Sequence, residues 1–495
     1  MPPRALLLPI ALLALLAPHL HAGNPITTSA GFGGVADPHV KYFDGLFYLY
    51  STHDYSAADR GFISKDWRVF SSPDLVSWSL ASTLLPAATP AARTDYNTCW
   101  ATDAAQGADG SFFFYLSMGT SQIGVMRGPT PAGPWEDALG EPLVNASLGR
   151  ALGTEARDPG VLVDDDGSAY LVFGTFTYYI ARLRPDMVSF AEAPRRIVVT
   201  TADGGPPTSQ NGVGVLDDKP YLHKRGSTYY FSFGAFYSTG SSPYGPYTQR
   251  DPTWVSPALI APDFRINATS GPCWCQQGNY NDRHGSFFSA KGQDYWSSND
   301  RSHSADPYNT NVFRDTVLTY VHYLANGSIA PVVIDATGVG AYSAAAGLQA
   351  ESFFELAGAG RKWHSADARV LAVTGLQPGA SALRYPRIAG AARVRAVVLR
   401  CALAAGSGGG GALQLRLSAE RSAVAGAQGS ARALCAAPLA ALPRGGSGGE
   451  GEGDWREVQC SWAAPLGEAE LHLRVEVLGE GAEGVLIDSL RFVQA

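Results

Sequence analysis

Five stretches of this 495-residue chain repeat one design, a tight turn carrying glycine followed by an aromatic, strand-type run. They read FDGLFYLYS around Gly45, ADGSFFFYLS around Gly110, DDGSAYLVFG around Gly167, KRGSTYYFSFG around Gly226 and AKGQDYWSSN around Gly292. The turn glycines stand 65, 57, 59 and 66 residues apart, a little more than the repeat of common propeller blades. Aromatic runs that do not alternate with polar residues fit strands buried on both faces, as between radially arranged sheets. The expected fold is all-β, a five-bladed β-propeller over residues 23–340.

The same register carries ionisable side chains. Counting back from each turn glycine reaches Asp37 (8 before), Asp103 (7), Asp158 (9), Asp218 (8) and His284 (8). In a propeller these positions begin the innermost strands, so the five side chains should converge on one end of the central channel. The plain alternative is that an Asp there caps a turn or accepts a backbone N–H. Crowded carboxylates do not share one pKa, because burial and like charge raise some while nearby cations lower others. Glycoside hydrolysis by inversion uses such a separation, with one ionised and one protonated carboxyl roughly 6.5–9.5 Å apart. Trp100 beside Asp103, and Tyr42 and Phe43 near Asp37, suit either sugar faces or the core.

Charge and composition narrow the setting. The chain is 45% hydrophobic and 16% charged, and 37 Lys+Arg against 44 Asp+Glu give −7 without a basic block, which disfavours nucleic acid as a partner. Met1 to Arg4 carry one positive charge, Ala5 to Ala17 are apolar apart from Pro9, and Leu20-His21-Ala22 offers a cleavage site. Residues 1–22 therefore read as a secretory signal peptide, too short to span a bilayer, and a secreted monomer with no membrane partner is expected. Sequons at Asn145, Asn267 and Asn326 agree with export as a glycoprotein. Of the six cysteines, Cys401 and Cys460 lie in strand-like sequence and are the favoured disulfide, while Cys273 and Cys275 are too close for easy mutual bridging.

Past Ala341 the sequence turns rich in Ala, Gly, Leu and Arg, with glycine tracts at 406–411 and 445–453. Strand-like runs resume after each tract, as in ALQLRLSAE and WREVQCSW, so the tracts read as surface loops of a second domain over 347–495.

Several segments taken in order resemble the signatures of glycoside hydrolase family 43: ADPHVKYFDGLFYLYSTHD, SSPDLVSWSLAS, CWATDAAQGADGSFFFYLS, GPTPAGPWEDALGEPLV, ARDPGVLVDDDGSAYLVFG, SSPYGPYTQR and RHGSFF. The resemblance spans Phe32 to Val339. It implies a five-bladed propeller of an inverting enzyme that removes α-L-arabinofuranosyl, β-D-xylosyl or galactosyl groups from polysaccharide or oligosaccharide, with no cofactor required for catalysis. By position it makes Asp37 the general base, Asp158 the carboxylate that tunes and orients the acid, and Asp218 the general acid. Trp100, Asp103, His284 and Arg314 would meet substrate. His284 matches a central His that in some members neighbours a metal ion or an ordered water.

The chain departs from the family at the acid. Asp218-Lys219-Pro220 stands where Glu-Gly-Pro or Glu-Ala-Pro is usual, so the donor is one methylene shorter. A carbohydrate-binding propeller with weakened turnover is thus an alternative reading. Asp217, adjacent on an alternating strand, should point to the opposite face. The tail, with LQAESFF near its start and GVLIDSLRFVQA at its end, is similar to a family 6 carbohydrate-binding module, a β-sandwich. That resemblance implies a structural calcium ion held in part by Glu351 and Asp488.

Overall fold

The computed structural model describes residues 23–27, 31–56, 62–91, 96–209, 212–250, 284–300, 313–330, 332, 334, 337–364, 371–403, 413–420, 432–439, 455–463, 466, 470–479 and 482–494. The leader-like segment 1–22, Asn267, Cys273 and Cys275 lie outside the described residues. The fold is all-β: the described residues contain one α-helix, Ala146–Leu152, and none long and apolar enough to cross a membrane.

Up to Tyr320 the strands form five successive sheets. The first joins β1 (Val35–Phe43), β2 (Leu46–Asp54), β3 (Ser64–Ser72) and β4 (Ser79–Leu84). The second joins β5 (Cys99–Gln106), β6 (Phe112–Met118), β7 (Ile123–Gly128) and β8 (Glu136–Asp137). The third joins β9 (Gly160–Val163), β10 (Ala169–Thr175), β11 (Thr177–Arg182) and β12 (Arg195–Arg196). After β13 (Val199–Thr200) and a short hairpin of β14 (Thr208–Ser209) with β15 (Gly212–Val213), the fourth sheet runs through β16 (Pro220–Arg225), β17 (Thr228–Phe233), β18 (Phe236–Gly240) and β19 (Tyr247–Gln249). In the fifth, β20 (Phe287–Ala290), β21 (Gln293–Asp300) and β22 (Asp315–Tyr320) lie in order.

Turn chemistry and burial account for this repetition. Asp44 and Gly45 (φ 49° and 89°), and again Lys291 and Gly292 (φ 54° and 77°), take the two consecutive left-handed conformations that close a two-residue hairpin without splaying its strands. The aromatic strands β6, β10 and β21 are buried at every position, because each has neighbours on both faces.

No sheet closes on itself, and apolar seams join one sheet to the next. Tyr50, Trp67 and Leu116 fill the seam between the first and second sheets, and Tyr115, Leu171 and Phe173 that between the second and third. A larger cluster containing Val172, Phe231 and Trp296 runs from the third through the fourth to the fifth. Val40, Leu49, Phe288 and Tyr295 join the fifth back to the first. Each such side chain contributes about 1.5–3 kcal/mol on burial, so the seams supply much of the cohesion. The first strands follow the same circuit: β1 adjoins β5, β5 adjoins β9, β9 adjoins β16, and β20 adjoins β1. Between β16 and β20, Tyr221 Oη donates to the Phe287 carbonyl at 3.1 Å.

The C-terminal residues form two six-stranded sheets around one core. Leu383, Leu417 and Val475 come from one sheet and Val397, Leu399 and Ile487 from the other. Tyr342–Ser343 already pairs with Ala382–Ala389, so these sheets take in residues before Gly347. The disulfide joins Cys435 to Cys460, Cα atoms 5.8 Å apart, and ties one sheet to the other. This corrects the expected Cys401–Cys460 pair. Those two cysteines lie on neighbouring strands of one sheet, where Cys401 stands opposite Arg456 and Cys460 opposite Val397, so they are out of register, and Cys401 is a buried free thiol. Gln293 Nε2 donates to the carbonyls of Glu351 (2.9 Å) and Phe353 (2.8 Å), and Arg387 pairs with Asp74, fastening the C-terminal sheets to the first part.

Candidate active site

Four of the five counted residues stand at equivalent places. Asp37, Asp158, Asp218 and His284 lie five to seven residues before the last residues of β1, β9, β16 and β20, which are Phe43, Val163, Arg225 and Ala290. Asp103 is only three residues before the end of β5 at Gln106. Counting from the turn glycine misplaced it: the turn after β5, Gly107 to Ser111, matches the Asp164 to Ser168 turn after β9, yet the count to Asp103 is seven against nine to Asp158.

Asp37 sits at a break in the β1–β2 register with φ 49°, a left-handed conformation that Asp tolerates better than most residues. Its buried carboxylate is fully engaged. Oδ1 accepts Arg314 Nη1 at 2.7 Å and Asn299 Nδ2 at 2.9 Å and lies 3.3 Å from His284 Nδ1; Oδ2 accepts the Thr52 hydroxyl at 2.6 Å. Burial alone would raise this carboxyl, but the charges of Arg314 and His284 together with these hydrogen bonds outweigh it and hold Asp37 well below the usual carboxylate range. An ionised, oriented carboxylate results, as a general base requires.

Asp158 also has a left-handed backbone, φ 55°. Its amide donates to Ser117 Oγ at 2.8 Å, and its Oδ2 accepts the Lys219 amide at 3.1 Å. Burial pushes its carboxyl up, aided by the charges of Asp218 and Asp37 and opposed by His284 and Arg157. Asp37 and Asp158 are thus driven in opposite directions, the condition that lets neighbouring carboxyls take different roles.

Asp218 is the most open of the three, its side chain 26% exposed. Arg157 Nη2 lies 3.7 Å from Oδ2, and the Lys219 ammonium contacts Oδ1. Asp217 does not take the opposite face that alternation predicts: both acids precede β16 rather than lie on it, and the buried Asp217 carboxylate, packed against Gly234, meets the same Lys219 ammonium at 3.4 Å, while burial pushes it up to about 7.

Arg314 reaches the site as expected, but its guanidinium is spent inside the protein. Nε and Nη2 bind the two oxygens of Asp54 at 2.9 and 2.8 Å while Nη1 takes Asp37, so Arg314 is placed to brace the base rather than to meet a sugar. Asp103 departs further from a substrate-facing place. It is wholly buried, with Lys41 Nζ at 2.9 Å, His39 Nδ1 at 3.2 Å, and the amides of Val161 and Ala104 at 2.7 and 2.9 Å. It ties β1, β5 and β9 together. His39 packs edge-on against His284, ring centres 5.4 Å apart, and the Nε2 atoms of both are buried without a hydrogen-bond partner among the described residues.

Aromatic surface surrounds these groups. Trp100 is half-buried and donates from Nε1 to the Phe62 carbonyl at 2.8 Å, with the Arg157 guanidinium 5.7 Å from its ring. Phe62 lies 5.1 Å from the Arg314 guanidinium and is 37% exposed; Phe176, whose amide donates to the Asp217 carbonyl, is 53% exposed. Large rings left open beside carboxylates suit the apolar faces of a sugar.

Sequence reasoning missed Thr52, Asp54, Asn299, Arg157 and the cation of Lys219. A signal existed for Asn299: Ser297 to Asp300 form a wholly polar stretch that should read as exposed, yet every residue is buried, which marks a strand end lining an internal polar site. In the C-terminal sheets, Glu351 feels the charge of Asp488, and its buried Oε2 has no hydrogen-bond partner among the described residues. Burial pushes Glu351 up to about 7. Asp488 Oδ2 accepts Arg400 Nη1 at 3.0 Å and Ser489 Oγ at 2.8 Å. Among the described residues no cluster of three or more His, Cys, Asp or Glu is placed to hold a metal.

The profile described as "Glycosyl hydrolases family 43" matches residues 23–329. A β-D-galactofuranosidase of Aspergillus niger is 28% identical over 350 residues, covering 66% of this chain and 90% of that protein. An arabinoxylan arabinofuranohydrolase of Bacillus subtilis is 31% identical over 275 residues, 48% of this chain and 52% of that protein. Among solved structures, a family 43 beta-xylosidase/alpha-arabinofuranosidase from a compost microbial metagenome, in complex with xylotriose, superposes with a TM-score of 0.50 at 24% identity, over 63% of this chain and 97% of that one.

Proposed function

Since the chain belongs to glycosyl hydrolases family 43, we propose that it is a secreted, inverting exo-glycosidase that releases terminal α-L-arabinofuranosyl groups from polysaccharide, with β-D-xylosyl and galactosyl groups as the other candidate donors. The observation that carries this reading is the opposed setting of Asp37 and Asp158 beside the open Asp218. In this scheme Asp37 takes a proton from water as the water attacks the anomeric carbon. The bond from that carbon to the leaving oxygen breaks, Asp218 gives its proton to that oxygen, and the released sugar has the inverted configuration. Asp158, fixed through the Lys219 amide, orients the donor, and Trp100 with Phe62 offers the sugar an apolar face. The activities named for the Aspergillus and Bacillus relatives support furanosyl donors, and the bound xylotriose of the metagenome structure supports a carbohydrate ligand.

The same reading takes the five sheets as five propeller blades, supported by the circuit of first strands and seams. It takes the C-terminal sheets as a β-sandwich like a family 6 carbohydrate-binding module. A structural calcium between Glu351 and Asp488 belongs to this proposal, supported by the partnerless Glu351 oxygen; a rise in the C-terminal melting temperature with calcium, reversed by chelator, tests it. Export rests on the charged start, apolar run and cleavage-type triplet of the sequence 1–22, and a mature N-terminus near Gly23 tests it.

Turnover of nitrophenyl α-L-arabinofuranoside, β-D-xyloside and β-D-galactofuranoside, with the product anomer followed by NMR, tests the enzyme. Activity that vanishes in Asp37→Ala and an inverted first product support it; retention of configuration refutes it. One observation favours the second reading, a binding propeller with weakened turnover: Asp218 stands between Arg157 and Lys219, cations that oppose holding a proton. Oligosaccharide binding with no turnover of any donor would select that reading.

A further inference from the structure

Lys219 is an unusual residue at its position. It follows the proton donor directly, where the resembling family carries Gly or Ala, and its φ of 67° is a conformation that L side chains disfavour. Pro220, next in sequence, restricts it further. Even so, the side chain is buried, and its ammonium folds back onto the Asp218 carboxylate and to 3.4 Å from both oxygens of Asp217. The Lys219 amide meanwhile donates to Asp158 Oδ2 at 3.1 Å. Around this knot, Tyr178 Oη donates to the Asp217 carbonyl at 2.7 Å and to that of Asp218 at 3.4 Å, fixing the backbone that presents both acids.

We propose that Lys219 is a positioning residue for the proton donor: its ammonium clamps the short Asp218 side chain against Asp217 and sets how readily Asp218 takes up the proton that it delivers to the leaving oxygen. The inference rests on Asp218 being the donor. A flexible Glu can find its place through its extra methylene, whereas an Asp depends on its backbone and on what grips it. Here a cation grips it, at a cost to protonation. Among the described residues, the charged and titratable groups that bear on the knot include Arg157, Glu155 and Asp158 from the segment before β9, Tyr178 from β11, His284 from before β20, and Asp37 from β1. Of these, Arg157 is the second cation at Asp218, and its second oxygen faces that guanidinium. The proton balance closes over one turnover. Asp37 gains a proton from water, Asp218 loses one to the leaving alcohol, and exchange with solvent restores both.

The consequence is a donor protonated only at lower pH than a neutral residue 219 would allow, so the alkaline limb of kcat/KM on substrates with poor leaving groups falls early. Lys219→Gly tests this, because glycine favours the observed backbone, keeps the amide to Asp158 and removes the cation together with its stem. With an oligosaccharide or alkyl glycoside, the alkaline limb should move up by about one pH unit or more in Lys219→Gly and stay in place in Lys219→Arg. With a dinitrophenyl glycoside, which needs no proton, the two variants and the unmodified enzyme should share one profile. An alkaline limb unmoved in a folded Lys219→Gly enzyme overturns the inference. Asp218→Asn separates the two levels: if it leaves turnover of poor leaving groups intact, the donor assignment itself fails, whereas selective loss of those substrates keeps it.

Discussion

Replacing Arg314 with Met removes the one guanidinium shared by the buried carboxylates Asp37 and Asp54. Three charge-assisted hydrogen bonds disappear, each worth about 1.5–3 kcal/mol net, but they serve one cation and do not add. The better guide is the cost of leaving a buried charge unpaired, about 3–5 kcal/mol, and about 4 kcal/mol is expected at pH 7. That is a large part of the stability of an ordinary domain, so urea unfolding is best followed at low temperature, with tryptophan fluorescence and loss of turnover as parallel signals.

The sign of the pH dependence is as informative as the size. In the intact protein Asp37 is depressed, so its contribution is full above the unfolded value of about 3.9 and is lost as pH falls through the folded one. Without Arg314, burial dominates at both Asp37 and Asp54, and the folded state holds protons that the unfolded state has released. Stability of the variant should therefore fall as pH rises from about 4 towards neutrality, opposite to the Asp37 contribution in the parent. The acidic limb of kcat/KM should move to higher pH with it. Arg314→Lys, which keeps charge but not the fork, should lose about half as much. A loss under about 1 kcal/mol for Arg314→Met at pH 7, with no dependence on pH, would refute the reasoning.

Asp158→Asn keeps an acceptor for the Lys219 amide and should lower kcat about 10²-fold or more with little change in KM, measured on a poor leaving group. Cys435→Ser should lower the melting temperature of the C-terminal sheets through a loss of about 3 kcal/mol, since the bridge closes a loop of sequence separation 25; the same drop should follow addition of reductant to the parent. Lys362, half-buried among Gln293, the Val321 carbonyl and His322, is pushed down to about 8 by loss of solvent around its ammonium. Its folded value lies below the unfolded one, so stability should rise between about pH 8 and 10.4, and urea titrations of Lys362→Met should lack that rise.

The fold was legible because it is written in turns. Asp44-Gly45 and Lys291-Gly292 need consecutive left-handed residues, and the aromatic runs after them have no polar face to give to solvent. Asp37, Asp158 and His284 could be found by counting from those turns, because each lies five or six residues before the last residue of its strand. Asp103 was misplaced because the same five-residue turn follows β5 and β9 while the count to Asp103 is two shorter than that to Asp158, a difference that leaves no mark on composition. Arg314 was found by position, but its partner Asp54 lies 260 residues away in sequence, and nothing local says that the guanidinium is already occupied. The disulfide failed similarly: strand character favoured Cys401, while register decided for Cys435.

Why Asp37 and Asp218 should differ in role follows from what surrounds each, not from the carboxyls themselves. Asp37 meets Arg314, His284, Asn299 and Thr52 in a closed shell, all of which favour the anion and none of which has to move during turnover. Asp218 meets its cations at an open edge, where one of them, Lys219, also touches Asp217. A base must stay ionised through the pH range of turnover, and a fixed shell achieves that; a donor must alternate between two states, and a partly exposed carboxyl that shares its cation permits it. The pair therefore predicts an asymmetry under mutation. Changes around Asp37 should shift the acidic limb and stability together, because the same buried bonds serve both. Changes around Asp218 should shift the alkaline limb at a smaller cost in unfolding free energy, because its carboxyl is partly exposed and solvent screens its pairing with Arg157.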